Sequence, residues 1–482
     1  MRKATAVDAG WLFLEEGAVA PFGHAAHVLK SLLYADACML TNLCKMKMLK
    51  LALALSALGV ACAVPATGDV ARRVVDAIVA QNETFFPCDK YGAALMQQAL
   101  WEGNAAFPDA MDTRLLLSTR LDACAATPGT SAYDILHRAN FTWDHAIGDL
   151  KGLFPNAYLE RAAYYETHCS TPYSYDNASD VRVATGAARR YILSWPVLLP
   201  DGAVARLTGG ELGPPCKSSS QCQSNVCRNG NCASLTPRYV WGDDTFMGLT
   251  GLARLATAMA GDAEWEQHGL AWAGGQLLRL SGYLRDPADG LYLHGYDAAA
   301  RQLACCKWGR ANGWSMMAGA ELLAAYDAVA ARHGGAGVNA TQRAAVLALF
   351  RAHAAAMRAV QHPTDGRWHQ LLNVSSSFLE TSATAMTLYA MATGLRAGWL
   401  DVPTYNATVY AAWAGLASTV APDGTVSGIC SGCGIKATPE EYTNHTTTWI
   451  KSLNGGLGAV LRAATAMRLL ETYGPGEYVD EL

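Results

Sequence analysis

The sequence predicts an all-α fold in which helical hairpins are arranged around a ring. Of the 482 residues, 51% are hydrophobic and only 16% are charged, so the chain can bury a large core. Apolar side chains recur at helical spacing, and Gly or Asp-Gly turns separate the helical stretches. A turn with Pro and Asp-Gly follows four of these stretches, which indicates a repeated structural unit.

One stretch illustrates the helical pattern. From Phe246 to Met259, apolar or small side chains fall three or four positions apart, which places one face of a helix toward the core. Gly261 and Asp262 end that helix and begin the next one. The same alternation predicts helices within 70–105, 149–196, 314–332, 341–360, 380–396, 403–419 and 451–473.

The four turns lie at 200–202, 287–290, 363–366 and 422–424. Asp-Gly favours a tight turn, and the short alternating segments that follow, such as GLYLHG from Gly290, favour small hairpins. Such turns at one rim of a helical ring predict the lining of a pocket. An α-solenoid with inert loops is the alternative, but it does not account for the aromatic and polar residues after the turns.

The N-terminal segment is typical of a secretory leader. Residues 46–63 contain lysines, then an apolar run too short to span a bilayer, then small residues that end at Ala63. We expect residues 1–63 to be the leader, with its signal core at 46–63, and residues 64–475 to form the barrel domain. No membrane span is expected after the signal is removed.

Two further patterns favour the endoplasmic reticulum lumen or secretion. N-x-[ST] sequons follow the leader at Asn82, Asn140, Asn177, Asn339, Asn373, Asn406 and Asn444. The tail, residues 476–482, ends in Val-Asp-Glu-Leu, a variant of the retrieval tetrapeptides that a receptor reads. A retrieval receptor is therefore an expected partner, and a chance acidic tail is the alternative.

The cysteines suit an oxidising compartment. Four of them, Cys216, Cys222, Cys227 and Cys232, lie in a Ser-, Asn- and Gly-rich stretch at 212–236, which we interpret as an insertion in the barrel domain. Their spacing favours two disulfides over a zinc site. The Cys430-x-x-Cys433 and Cys305-Cys306 pairs are expected to make structural bridges, and the odd number of cysteines after the leader leaves at least one thiol free or intermolecular.

Two motifs carry candidate chemistry. Asp243 and Asp244 in WGDDTFM precede an apolar helix, where one carboxylate can cap the helix and the other can face a cavity. In KWGRANGW, two tryptophans can stack on sugar rings and Arg310 can pair with a carboxylate. A helix cap and a buried aromatic core are the structural alternatives.

The motifs WGDDTFM, GLYLHG, KWGRANGW, GRWHQ and ETSATAM, followed by a Gly-rich segment, together resemble glycoside hydrolase family 105 and its relative, family 88. The resemblance covers about residues 75–470 in order. It implies an (α/α)6 barrel, an oligosaccharide substrate, and removal of a 4,5-unsaturated uronic acid by protonation and hydration of its enol ether. It implies no cofactor and no metal.

The resemblance also implies roles for single residues. Asp243 matches the acid/base aspartate, Asp149 matches a second pocket aspartate, and Asp244 is expected to be structural. The residues matching sugar contacts are Trp241, His294, Trp308, Arg310 and Trp314. To act as an acid near neutral pH, Asp243 is expected to have a raised pKa, through packing by Trp241 and repulsion from Asp149.

Several alternatives remain open at the level of sequence. The barrel could carry another sugar enzyme of the mannosidase or epimerase type, although no histidine pair of the H-x-x-x-H kind supports an epimerase. A non-catalytic glycan-binding protein could use the cysteine-rich insertion as its contact module. The net charge of −4 and the absence of a basic stripe argue against nucleic acid as a partner.

Overall fold

The helices follow the predicted alternation along the chain. The computed structural model describes residues 65–80, 88, 91–108, 113–137, 156–168, 177–195, 197–207, 212–215, 217, 221, 227–228, 231–233, 237–432, 434–444 and 454–476. The α-helices within these residues are α1 (Thr67–Ala80), α2 (Tyr91–Ala106), α3 (Arg114–Ala126), α4 (Ser131–His137), α5 (Asn156–His168), α6 (Asn177–Ala187), α7 (Asp244–Met247), α8 (Leu249–Ala258), α9 (Leu270–Leu284), α10 (Gly309–Arg332), α11 (Ala340–Ala359), α12 (Thr381–Arg396), α13 (Val402–Ala417), α14 (Pro439–Asn444) and α15 (Asn454–Tyr473). None of the described helices combines the length and the hydropathy needed to cross a bilayer.

Six of the described helices form a closed inner ring. Each contacts the next in the order α2, α5, α8, α10, α12, α15, and α15 returns to α2. Outside this ring, α1 packs on α15, α6 on α5, α9 on α8, α11 on α10 and α13 on α12, while α3 contacts both α2 and α5. This arrangement is an (α/α)6 barrel, so the predicted fold class is confirmed.

The helix predicted from Phe246 to Met259 is wrong in one respect. The chain forms two helices there, α7 and α8, with a break at Gly248, whose φ of −107° lies away from the helical value. The break gives WGDDTFM its own short helix. Helix α10 also begins earlier than predicted, at Gly309, so that Arg310 lies in its first turn.

The four Asp-Gly turns share one conformation at their glycine, and two of them press closely on a neighbouring outer helix. Gly202, Gly290, Gly366 and Gly424 have φ values of 83°, 82°, 81° and 77°, which glycine adopts without strain. The turns at Gly366 and Gly424 pack on the outer helix that follows each of them around the ring. A Cβ at Gly366 would lie 2.1 Å from the Ala411 carbonyl oxygen of α13, and one at Gly424 would lie 1.8 Å from the Arg73 carbonyl oxygen of α1. The repeat seen in the sequence is therefore a repeated contact between neighbouring hairpins.

Short strands lie at the rim where the inner helices begin. They are β1 (Arg206–Leu207), β2 (Leu212–Pro215), β3 (Cys227–Arg228), β4 (Asn231–Ala233), β5 (Pro237–Trp241), β6 (Gly295–Asp297), β7 (Gln302–Leu303), β8 (Trp368–His369) and β9 (Leu379–Glu380). One antiparallel sheet has the order β1-β5-β6-β7, and β8 pairs with β9. The predicted insertion contains a separate sheet of order β2-β4-β3, in which Cys227 lies opposite Cys232 in the register.

Two disulfides join described cysteines, Cys88 to Cys124 and Cys305 to its neighbour Cys306. The Cys430 sulfur is buried and accepts hydrogen bonds from Gln370 Nε2 and Gly432 N, at 3.2 and 3.3 Å. The expected Cys430–Cys433 bridge stays a prediction. Cys433, the side chains of the four cysteines of the insertion, the leader and the C-terminal tetrapeptide lie outside the described residues.

The barrel axis holds a buried network of charges and hydrogen bonds. Each inner helix contributes one member: Glu102, Glu160, Arg254, Glu321, Tyr389 and Arg462, in ring order. Arg462 is fully buried and donates to Glu102 at 2.8 Å, to Tyr389 at 2.8 Å and to Glu321. Arg254 bonds Glu102 and Glu160 and lies 3.2 Å from Glu321. The network therefore crosslinks all six inner helices.

The ionisation of this network is uneven. Burial raises the pKa of Glu160 to about 7, although Arg254 lies beside it. Burial acts in the same direction on Glu321, but the charges of Arg254 and Arg462 outweigh it and lower that pKa to about 2. The two arginines thus hold Glu321 as a carboxylate, while Glu160 titrates near neutral pH. A cavity of about 360 Å³ adjoins the network and opens between the C-terminal ends of the inner helices.

Replacing Arg462 by methionine keeps most of the side-chain length but leaves Glu102 and Glu321 buried without this partner. We expect the free energy of unfolding to fall by about 3–5 kcal/mol, the usual cost of removing one side of a buried ion pair. Arg468→Met, at an exposed position of the same helix, is the matched control and should change it by less than about 0.5 kcal/mol. Urea unfolding followed by circular dichroism measures both, and equal effects would contradict a stabilising role for the network.

Candidate functional site

The carboxylate of Asp243 is placed at the rim by the end of a strand. Strand β5 pairs with β6, with Trp241 opposite Gly295. The residue that follows β5, Gly242, therefore lies beside His294, which precedes β6. The Gly242 amide donates a hydrogen bond to the His294 carbonyl oxygen at 2.9 Å, which holds these two residues together. The chain then turns directly into α7, with Asp243 as its N-terminal flanking residue.

Asp243 and His294 form the centre of the site. Asp243 Oδ2 lies 3.4 Å from His294 Nε2, and the Asp243 side chain is 17% exposed whereas the His294 side chain is fully buried. The other ring nitrogen, Nδ1, lies 2.6 Å from the Tyr442 hydroxyl. Trp308 packs on the imidazole with ring centroids 4.4 Å apart, and Trp241 meets it edge-on at 5.7 Å.

Arg310 is held beside this pair by side chains at the start of α12 and by a backbone carbonyl in the segment after α13. Its Nε donates to Ser382 Oγ at 3.0 Å, its Nη2 donates to the Cys430 carbonyl oxygen, and Glu380 Oε1 lies 3.6 Å away. Burial alone would lower the pKa of Arg310, but the negative groups around it, Cys430 and Glu380 foremost, outweigh burial and raise it, so the guanidinium remains charged. Arg310 Nη1 donates to no residue that the structure describes.

Asp244 has a structural role, as expected. Its carboxylate accepts two hydrogen bonds from Arg206, at 2.6 and 2.9 Å, and is almost fully buried. The Arg206 guanidinium in turn lies over the Trp241 ring, 4.3 Å from its centroid. Asp244 therefore orients Trp241 through Arg206, whereas the Asp243 carboxylate lies beside His294.

The three predicted tryptophans have different surroundings. Trp241 is half-buried and lines a cavity of about 520 Å³, together with Tyr239, Cys305 and Lys436. Trp308 and Trp314 are buried, and Trp314 stacks on Phe246 with centroids 4.9 Å apart. Neither buried indole N–H has a hydrogen-bond partner among the residues described. Sugar contact by these residues stays a prediction.

The expected raised pKa of Asp243 is wrong for the unliganded site. Burial does raise the pKa of this carboxyl, but the contact with His294 and the positive charges of Arg206 and Arg310 outweigh burial and lower it. Asp149, the other carboxylate expected to raise it, lies outside the described residues. The ordinary resting form of Asp243 is therefore the carboxylate.

Several residues of the site were not predicted. Arg206 precedes the insertion, and Tyr442 follows a Gly- and Thr-rich stretch, so neither stands in a recognisable motif. Glu380 does, because ETSATAM begins with it: the carboxylate caps α12 by accepting from Ala383 N and also accepts from Ser382 Oγ and Cys430 N. An acidic residue before Thr-Ser and an apolar helix is a cap pattern that could have identified it.

The glycines of the motifs allow close contact between elements. A Cβ at Gly242 would lie 2.7 Å from the Cβ of Ala311, and one at Gly309 would lie 2.6 Å from the His369 carbonyl oxygen. Because of these contacts, β5 and β8 lie close to the start of α10, and Asp243 and Arg310 lie at the same rim of the barrel. In the described part of the chain, no group of three or more His, Cys, Asp or Glu side chains could hold a metal ion.

Comparison with known proteins agrees with this geometry. The family model of Glycosyl Hydrolase Family 88 matches residues 219–470, slightly more than half of the chain. The unsaturated rhamnogalacturonyl hydrolase YesR of Bacillus subtilis (strain 168) is 26% identical over 228 residues, which are 47% of this chain. The match covers 60% of YesR, so the chain spans about three fifths of the length of that curated relative.

Solved structures share the fold. A family 105 glycoside hydrolase from C. acetobutylicum ATCC 824 is 18% identical, with a TM-score of 0.60 over 82% of this chain and 98% of that one. The unsaturated glucuronyl hydrolase from Bacillus sp. GL1 is 15% identical, with a TM-score of 0.50 over 85% of this chain and 97% of that one. At these identities the likeness establishes the barrel and not the activity.

Substituting Gly242 by alanine should push β5 away from α10, because the new methyl group would overlap Ala311. We expect the free energy of unfolding to fall by about 1–3 kcal/mol, as for other overpacked sites. Gly282→Ala in α9 is the control: nothing lies within 4 Å of its Cβ position, so it should gain up to about 1 kcal/mol from helix propensity. Thermal and urea unfolding of both variants test this contrast, and two changes of the same sign would contradict the assigned contact.

Proposed function

Because the chain belongs to Glycosyl Hydrolase Family 88, we propose that it removes a 4,5-unsaturated uronic acid from the non-reducing end of oligosaccharides. The observation that carries the proposal is that the carboxylate of Asp243, 17% exposed, lies close enough to the buried, charged Arg310 for this arginine to help lower its pKa. YesR is named as an unsaturated rhamnogalacturonyl hydrolase, and the enzyme from Bacillus sp. GL1 as an unsaturated glucuronyl hydrolase. Both names describe hydrolases of an unsaturated uronyl group.

Arg310 is the proposed partner of the substrate carboxylate. A planar guanidinium suits a carboxylate better than an ammonium does, and here it is already oriented by Ser382 and the Cys430 carbonyl oxygen. Nη1 is the nitrogen left to donate to the sugar. Half-exposed Trp241, held in place by Arg206, supplies a flat surface on which the ring can stack.

Asp243 is the proposed acid and base. Its carboxyl proton passes to C4 of the enol ether, which leaves positive charge at C5 and on the ring oxygen. Water adds to C5 and gives its proton to the Asp243 carboxylate. The resulting hemiketal opens to a C5 ketone, and the hemiacetal at C1 releases the aglycone as an alcohol, so one water is consumed in all. Only one carboxyl group is needed, unlike the pair that direct glycoside hydrolysis requires.

The low pKa of Asp243 in the unliganded site suits this scheme once substrate is included. The substrate carboxylate would neutralise Arg310, one of the positive charges that lower the pKa. It would also place a negative charge near Asp243 and exclude water. Both changes raise the pKa of a carboxyl group, so binding of the acidic sugar would itself protonate the acid.

A location in the secretory pathway, in the endoplasmic reticulum lumen or outside the cell, is part of the proposal. The disulfides Cys88–Cys124 and Cys305–Cys306 support it, because such bonds persist in oxidising compartments. The sequons at Asn339, Asn373 and Asn406 are exposed, as glycan attachment requires. A retrieval receptor that reads the C-terminal tetrapeptide remains the proposed partner.

The proposed reaction consumes the ring double bond, whose ultraviolet absorbance can be followed directly. We expect the protein to consume at least one of a panel of unsaturated di- and oligosaccharides prepared with different lyases. Asp243→Asn should lower kcat/KM by at least about 100-fold, the usual contribution of a general acid. Asp423→Asn, in the exposed turn after α13, is the control and should retain activity. Binding without turnover, unchanged by Asp243→Asn, would instead favour a glycan-binding protein.

The pH profile of kcat/KM, which reports the free protein, should differ from that of kcat, which reports the substrate-bound protein. Activity requires protonated Asp243, so it falls as pH rises through the pKa of that carboxyl. Because His294, Arg206 and Arg310 lower the pKa in the free protein, kcat/KM should begin to fall at low pH. Because substrate would raise the pKa, kcat should persist to higher pH. Steady-state kinetics across the pH range test this. If kcat and kcat/KM fell at the same pH, substrate-induced protonation of Asp243 would be contradicted.

A further inference from the structure

The Cys305–Cys306 disulfide joins neighbours in the chain and has no role in the scheme above. A disulfide stabilises a fold mainly by closing a loop in the unfolded chain, and the gain grows with the length of that loop. Cys88 and Cys124 are 36 positions apart, whereas Cys305 and Cys306 are 1 position apart. The second bond therefore closes almost no loop, so any effect that it has on the protein is local.

This bond lies where the regular pairing of two strands ends. Strands β6 and β7 pair in a register that would place His294 opposite Cys305. The Ala304 amide still follows this register, because it donates to the Gly295 carbonyl oxygen at 2.8 Å. The His294 amide, however, donates to the carbonyl oxygen of Cys306, one position further along, at 3.0 Å. A β-bulge introduces a one-residue shift of this kind, and such a shift changes the direction of the chain.

The shifted segment leads directly into the candidate site. Cys306 is fully buried in a cluster that also contains Trp308 and Tyr442. Trp308 packs on the His294 imidazole with ring centroids 4.4 Å apart, and that imidazole lies beside Asp243. The Cys306 carbonyl oxygen therefore holds the backbone of His294, and the Trp308 ring holds its side chain. Both contacts depend on the path of the chain through the two cysteines.

We propose that Cys305 and Cys306 are positioning residues, whose disulfide fixes this path and so holds His294 and Trp308 beside Asp243. Adjacent cysteines joined in this way form a small ring that includes the peptide bond between them, so the backbone there has few conformations to adopt. The effect of the bond on turnover rests on the proposed function, whereas its effect on the local structure does not.

Other contacts hold the chain beyond the cysteine pair. Lys307 forms ion pairs with two aspartates of the turn after α9. Arg310 is held by Ser382 and by the Cys430 carbonyl oxygen, neither of which involves the pair. Loss of the disulfide should therefore disturb His294 more than Arg310. In the proposed reaction, it should slow the chemical step more than it weakens binding of the substrate carboxylate.

The double variant Cys305→Ala/Cys306→Ala removes the bond and tests this by kinetics. Because His294 and Trp308 would lose their fixed places while Arg310 keeps its own, we expect kcat to fall by roughly 10- to 100-fold and KM to change by less than about threefold. Leu303→Ala, at an exposed position of β7, is the matched control and should keep its kcat. A double variant with the kcat of the intact protein would overturn the proposal.

Thermal unfolding separates local positioning from stabilisation of the whole fold. Cys88→Ala/Cys124→Ala removes a bond that closes a long loop, so its Tm should fall by several degrees. Cys305→Ala/Cys306→Ala should lower Tm clearly less, because that bond closes almost no loop. If both variants lower Tm equally, the loss of kcat follows from a weakened fold and the proposal fails.

A further measurement needs neither turnover nor a change of sequence. Cys305 is partly exposed at the wall of a cavity, where a dithiol can reach its sulfur. The dithiol is oxidised to a disulfide, and Cys305 and Cys306 each gain one electron and one proton. Mass spectrometry of alkylated peptides confirms that this pair is reduced while Cys88–Cys124 is intact.

Hydrogen exchange of this reduced protein then reports on the local structure. We expect exchange at the His294 amide, which donates to Cys306 in the intact protein, to become roughly tenfold faster, as for loss of one local hydrogen bond. Exchange in α12 should not change. Unchanged exchange at His294 would overturn the proposal. If no unsaturated sugar is consumed, the proposed function fails, and this measurement still decides the role of the cysteine pair.

Discussion

The buried network on the barrel axis is the constraint on which the rest of the structure depends. A ring of amphipathic helices can close with various stagger and rotation, because apolar packing alone is not directional. Here each inner helix contributes one polar group to a common cluster, and Arg462 bonds members from three other helices. Buried charges are costly unless they are paired. Any rotation of an inner helix would unpair one of them, so the network fixes the helices relative to one another.

That constraint determines the geometry at the opposite end of the inner helices. Glu321 lies eleven residues beyond Arg310 on α10, so fixing Glu321 at the axis also fixes the direction in which the first turn of α10 faces. Glu380 at the start of α12 and Tyr389 further along it are related in the same way. The rim adds a small buried cluster of its own, which includes Trp308, Leu371 and Tyr442. Short-range contacts, such as the hydrogen bond from the Gly242 amide to the His294 carbonyl oxygen, then place Asp243 relative to the helices.

The sequence predicted most of the helices but only part of the site, because helices follow from local patterns and the site depends on contacts between distant residues. Helical periodicity is local, so α11 to α13 agree with prediction within about two residues, the usual uncertainty of helix ends. The Asp-Gly turns are local as well. The pKa of Asp243 is not local: it depends on Arg206, which reaches the site through the pairing of β1 with β5, and on Arg310, from a different hairpin. The surroundings of the Cys430 sulfur are not local either, because its hydrogen-bond donor Gln370 lies sixty positions away.

The position of the cysteine-rich insertion explains how the site tolerates it. Strands β1 and β5 are antiparallel neighbours, with Arg206 opposite Tyr239, so the insertion lies at the end of a hairpin whose base carries Arg206. The entropic cost of a longer connection grows only slowly with its length, and disulfides within it would lower that cost further. Because the base is fixed by pairing with β6 and by the Arg206–Asp244 ion pair, extra residues beyond it leave Asp243 in place. The same geometry puts Tyr239 and Trp241, both from the paired base, on the wall of a cavity. Variation in the length of the insertion can therefore leave both this wall and the position of Asp243 unchanged.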